Sequence, residues 1–224
     1  MLRLGKACWW LGTLFLVVAF PAWGESNRDE RPQVSVSVYN DAQVPAAVLA
    51  QAEREAGKIF SRAGLEVSWV NCSPAELRVE TRGSCESFAW PAYLALHILP
   101  RPVRPVNEVF GVAFLSADGI GCYSDVYYDR ALALHADWKV GLADILGNVV
   151  AHELGHLLLG SNSHAPAGIM RARWQAEELR RMASGSLLFT SEQAERMRGK
   201  VMAAQPASAT DMVATAQSRI QQAR

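Results

Sequence analysis

The string His152-Glu153-Leu154-Gly155-His156 constrains this chain more than any other feature. It lies in an apolar stretch of helical character, and His164 follows shortly after it. On an α-helix, residues four apart share one face about a turn apart, so His152 and His156 can grip one metal ion. Glu153 sits beside them, where it can reach a water on that metal and act as a general base. With 5 histidines in 224 residues, composition alone produces this string far less than once.

Half of the residues are apolar, which fits a globular domain with a substantial core. Formal net charge is zero, so there is no basic excess to neutralise phosphates, and nucleic acid is not an expected partner. Residues 1–24 read as a signal peptide. Arg3 and Lys6 give a basic start, Cys8 to Phe20 is a short apolar run, and Ala22-Trp23-Gly24 suits cleavage before Glu25. The rival reading is an uncleaved anchor, for which the run is short. The expectation is a secreted or periplasmic protein without stable membrane association. Export implies an oxidising compartment and disulfide pairing. Cys72 and Cys85 flank a polar loop and form the natural pair, leaving Cys122 over; a Cys85–Cys122 bridge is the alternative.

Residues 25–32 are a polar linker. Val34 to Val38 alternates strictly and predicts a half-buried strand. Residues 45–63 have helical spacing, with Pro45 suiting the first helical position and Gly64 ending the helix. Leu65 to Val70 predicts a second strand and residues 71–91 an irregular insertion. Strands are expected over Tyr93 to Leu99, Val109 to Leu115 and Cys122 to Tyr128. Asp137 is placed to cap one long helix reaching Leu159, with Gly141, Gly147 and Gly155 inside it and Gly160 ending it. A short helix over 174–183 and another from Thr190 or Ser191 to Ala203 make a small helical lobe. Residues 205–224 are a tail, helical or disordered. The fold class is α+β: a mixed sheet packed on two helices, one carrying the histidines, then the helical lobe, with the domain spanning residues 33–204.

A catalytic zinc usually takes three protein ligands and keeps a fourth position open. The third must follow the helix, and His164 is the strongest candidate, because Gly160 lets the chain leave the helix with positive φ. Here the sequence resembles the metzincin metallopeptidases, whose signature is H-E-x-x-H-x-x-G-x-x-H followed by a methionine turn. The match runs through His152, Glu153, His156, Gly160, His164 and Met170, across residues 137 to 170. The spacing departs from the signature by one residue before the glycine and another before the last histidine. The competing ligand is a carboxylate, Glu177 or Glu178, as in gluzincins; no aspartate occurs between His156 and Asp211. His97 and His135 read as structural; Asn148, one turn before His152, reads equally as a support for the metal ligands or as an ordinary buried or solvated asparagine.

The resemblance implies a zincin-like fold and a secreted zinc metallopeptidase. In it, His152, His156 and His164 hold Zn2+, Glu153 is the general base, and Met170 lies under the metal. Its partner is a peptide or protein substrate bound along an edge strand, 109–115 or 122–128. No tyrosine follows Met170 to serve the tetrahedral intermediate. The readings from other classes are a catalytically silent zinc-binding module, a gluzincin-like hydrolase, and a membrane-tethered protein if the signal persists.

Overall fold

The structure is a computed structural model that describes residues 31–72, 85, 89–102 and 109–204. The expected signal peptide, nearly all of the linker, most of the insertion and the tail lie outside the described residues. Strand β1 (Gln33–Tyr39) buries Val34, Val36 and Val38 on one face, as its alternation dictates. Helix α1 (Ala46–Arg62) buries Leu49, Ala52, Ala56, Ile59 and Phe60, and Pro45 stands at its N-cap, one place earlier than expected. Next come β2 (Glu66–Asn71), β3 (Tyr93–Leu99), β4 (Gly111–Phe114) and β5 (Tyr123–Tyr127).

These strands form one five-stranded sheet in the order β2-β1-β3-β5-β4. Neighbours among β2, β1, β3 and β5 are parallel, and β4 alone runs antiparallel, against β5. Parallel neighbours need a long crossover, and α1 supplies the one between β1 and β2. Among the described residues, β4 ends the sheet and leaves one edge unpaired. β5 lies between β3 and β4, so residues 122–128 are not an edge strand, which removes one of the two expected docking strands.

The single long helix expected from Asp137 is in fact two, α2 (Tyr128–Trp138) and α3 (Leu142–Leu159). Asp137 sits in the last turn of α2 and caps nothing. Lys139 adopts φ 53°, a left-handed conformation that ends a helix, and Gly141 is the N-cap of α3 and not an interior residue. His135, on the last turn of α2, closes this break through Nδ1 to the Val140 carbonyl at 2.5 Å. α2 left little trace in the sequence because Ala131 is its only buried residue.

α3 is the core helix: every residue from Ile145 to Leu159 is buried. It is the one described helix long and apolar enough to cross a membrane, and most of it lies inside the protein. A helix apolar all round belongs in such a position. It packs on α1 so closely at Gly147 that a Cβ there would lie 2.6 Å from the Ala52 carbonyl oxygen. α4 (Ala176–Ala183) and α5 (Ser191–Ala204) follow as the small helical lobe. Thr190 and Gln193 cap α5 reciprocally, each side chain meeting the other's backbone N–H. The result is the α+β architecture expected: a mixed sheet on two helices, α1 and α3, then the lobe.

Cys72 and Cys85 are joined, with Cα atoms 5.9 Å apart. Cys122 is a free, half-buried thiol, and burial raises its pKa. The alternative Cys85–Cys122 bridge is therefore excluded.

Candidate metal centre

His152 and His156 leave α3 on one face, and each is fixed by a backbone carbonyl. The Ile169 carbonyl accepts a hydrogen bond from His152 Nδ1 at 2.7 Å, and the Ser161 carbonyl accepts one from His156 Nδ1 at 2.7 Å. A carbonyl can only accept, so both Nδ1 atoms carry the proton. Burial lowers the pKa of His152 to about 3, aided by neighbouring His156, and it lowers that of His156 as well. Both rings are thus neutral, with the Nε2 lone pairs bare. Those two Nε2 atoms lie 3.1 Å apart. Two lone pairs facing at that distance repel unless a cation lies between them.

The third imidazole arrives through the helix end. Gly160 takes φ 63° as the C-cap of α3, a conformation glycine adopts without steric cost. The chain then turns back, with Ser161 N–H bonding the His156 carbonyl and Ser163 N–H bonding Ser161 Oγ. His164 is delivered with its ring centre 5.4 Å from His152 and 5.0 Å from His156. One nitrogen from each ring lies within 4.8 Å of the others. Three nitrogens about 2.0–2.1 Å from a tetrahedral zinc would be roughly 3.3 Å apart, so small ring adjustments bring this set onto a metal.

The floor is a turn at Gly168-Ile169-Met170. Ile169 N–H bonds the Leu188 carbonyl, and Ala165 N–H bonds the Met170 carbonyl. Met170 is fully buried. A Cβ on Gly155 would come within 2.8 Å of Met170 Sδ and 2.7 Å of Phe189 Cε1, so a larger residue in α3 there would have to displace those side chains. Two of the three glycines expected inside the helix therefore sit where another element packs close.

Glu153 is buried beside β4, where a Cβ on Gly111 would lie 2.7 Å from its Cγ. Burial pushes its carboxyl up to about 8, helped by nearby Asp125. The competing carboxylates are engaged elsewhere. Glu178 accepts the Gln175 N–H at 2.9 Å as part of the α4 capping box and pairs with Arg171 at 2.6 Å. These bonds, the backbone one foremost, hold it below the usual carboxylate range. Glu177 is exposed and pairs with Arg180. Among the described residues, the three histidines alone cluster closely enough to hold a metal. Asn148 donates to the Asp144 carbonyl within its own helix. His97 lies far off in sequence on β3, bonded to Asp41 and stacked on Tyr39.

The sequence reading missed several members of the site. Trp174 Nε1 donates to the same Ile169 carbonyl at 3.1 Å, and its ring stands edge-on to His152, 5.6 Å away. Phe110 stacks on Trp174. A cavity of about 220 Å3 opens over the histidines, walled by β4, Asn162, Arg171 and Trp174. No motif marks these positions. The one hint was a tryptophan soon after the methionine turn.

No protein-family model matches the chain, and no curated protein does. Among solved structures, it is similar to a zinc-dependent peptidase from Methanocorpusculum labreanum strain Z. That match has 18% identity and a TM-score of 0.48, over 72% of this chain and 99% of that one. It is also similar to an archaemetzincin from Methanopyrus kandleri, at 15% identity and a TM-score of 0.49, over 77% of this chain and 98% of that one.

Proposed function

We propose that the chain is an exported zinc-dependent peptidase, with His152, His156 and His164 as ligands and Glu153 as general base. The observation that carries this reading is the pair of neutral imidazoles with facing Nε2 atoms, joined by a third on the loop after α3. Neutral nitrogen donors with the far ring nitrogen tied to a carbonyl are the donor set zinc prefers. Zinc held there supplies Lewis acidity, which acidifies water in the cleft and polarises a scissile carbonyl.

The remaining steps belong to the chain. Glu153 takes a proton from the attacking water and returns it to the leaving amine. Its place beside the two helix ligands suits both halves of that cycle, because zinc bound there would offset the burial that raises the carboxyl and favour the ionised form that accepts the proton. β4, whose outer edge is unpaired among the described residues, offers that edge to an extended peptide, which would add as a further strand. Trp174 and Phe110 wall the cleft and shed water from it.

A silent metal-binding module has no use for a buried general base beside its ligands, so the hydrolytic reading is preferred. The test is a diverse peptide library offered to the metal-loaded protein, to the chelated protein and to the reloaded protein. Cleavage that vanishes on chelation and returns with zinc is the expected result. A zinc-loaded, folded protein that cleaves nothing would favour the silent module.

A further inference from the structure

We propose that Arg171 selects substrates carrying a carboxylate next to the scissile bond. This rests on the peptidase reading above and names the chemistry it would prefer. Arg171 follows the buried Met170 and lines the cavity over the histidines, where, among the described residues, it is the one permanently charged cation in the wall. It is part-exposed, whereas its partner Glu178 is buried.

The geometry makes Arg171 a presented group and not a loose surface charge. Glu178 is itself fixed, because one oxygen caps α4 through Gln175 N–H while the other holds a single guanidinium nitrogen, Nη1. A guanidinium has five N–H donors in a planar fork, so most remain for a ligand. A second carboxylate is the acceptor that fits this fork with two parallel bonds. Glu178 offsets the charge locally, but more cation lies close by. The adjoining pocket, which shares Phe110, Ala172 and Trp174 with the first, adds Arg130 and Arg173 against one carboxylate, Asp137.

The carboxylate can come from an acidic side chain or from the free C-terminus of a short peptide. Both sources are tested with fluorogenic peptides derived from one cleaved sequence. In the first arm, each position flanking the cut carries Glu or Gln, with the C-terminus amidated. In the second, a neutral peptide ends near the cut as the free acid or the amide. Direct binding of the same pairs to zinc-loaded Glu153→Gln protein gives a readout that does not require turnover.

A preference of at least tenfold for the carboxylate member in one arm is expected, and that arm names the source. The preference should fall at least fivefold in Arg171→Met and in part in Arg171→Lys, which keeps the charge and loses the fork. Should Arg171→Met fail to fold, Arg171→Lys decides in its place, and a preference undiminished there would overturn the proposal. Equal cleavage and binding of both members in both arms would overturn the proposal while leaving the peptidase reading intact. A preference unchanged in Arg171→Met would overturn it too. If no library peptide is cleaved, short peptides paired as free acid and amide are still bound to the zinc-loaded protein: a preference for the acid that falls in Arg171→Met would support Arg171 and sink the peptidase reading instead.

Discussion

Substituting Gly147 with alanine sets helix propensity against packing, and the two differ in sign. Alanine in a helix interior is favoured over glycine by about 1 kcal/mol. At Gly147 the new Cβ would lie 2.6 Å from the Ala52 carbonyl oxygen, 2.8 Å from Glu55 Cβ and 3.3 Å from Ala56 N. Two of those atoms belong to the backbone of α1 and cannot rotate away. Ordinary contact begins near 3.4 Å, so α1 and α3 must part by roughly 0.8 Å or tilt. Overpacking of this kind costs about 1–3 kcal/mol, and a backbone obstacle places it at the upper end. The net effect is a loss of about 2 kcal/mol, which for a domain of this size lowers Tm by roughly 4–8 °C. Gly199 in α5 is the control, since no atom of the described residues lies within 4 Å of its would-be Cβ. Gly199→Ala should raise Tm by about 2–4 °C, the propensity gain alone. Thermal unfolding followed by circular dichroism, without metal and with the disulfide intact, measures both. Equal stabilisation by the two substitutions would refute the close helix contact.

Metal affinity separates the two ligand schemes: His164→Ala should weaken zinc binding at least tenfold, while Glu177→Ala and Glu178→Ala leave it unchanged in competition titrations. The buried carboxyl gives a pH dependence in metal-free protein. Glu153 has its pKa raised to about 8 when folded, so the folded state holds its proton longer than the unfolded state does. Its stabilising contribution is complete below about pH 4.5 and is lost as pH rises toward 8. Glu153→Gln should therefore gain stability relative to the unmutated chain across that window, as urea unfolding at stepped pH will record. Cys85→Ser opens a loop whose ends are 13 residues apart and should cost about 3 kcal/mol in the same assay.

The parts of this molecule legible in its sequence are those written in side chains at a fixed period. Alternating valines placed β1, and His152 and His156 four apart placed two donors on one face. Gly160 announced the turn that carries His164 back to them. What escaped is carried by the backbone or by single residues without a pattern. The carbonyls of Ile169 and Ser161, which orient the imidazoles, have no sequence signature. Arg171 and Trp174 acquire meaning from the turn at Met170, which aims both into one cleft. The break between α2 and α3 was hidden because Lys139 is an uncommon residue to find at φ 53°. That β5 and not β4 joins β3 depends on pairing between strands distant in sequence, which local periodicity does not encode.

The central claim is that Glu153 moves the proton for a zinc held by three histidines. The direct test compares the unmutated chain with Glu153→Gln, measuring zinc per chain and peptide hydrolysis on the same samples. The glutamine keeps the size and a hydrogen-bonding oxygen but cannot accept the proton. Both proteins should bind one zinc, and hydrolysis should fall by at least about a hundredfold in the variant. Near-normal hydrolysis by a zinc-loaded Glu153→Gln protein would contradict the account.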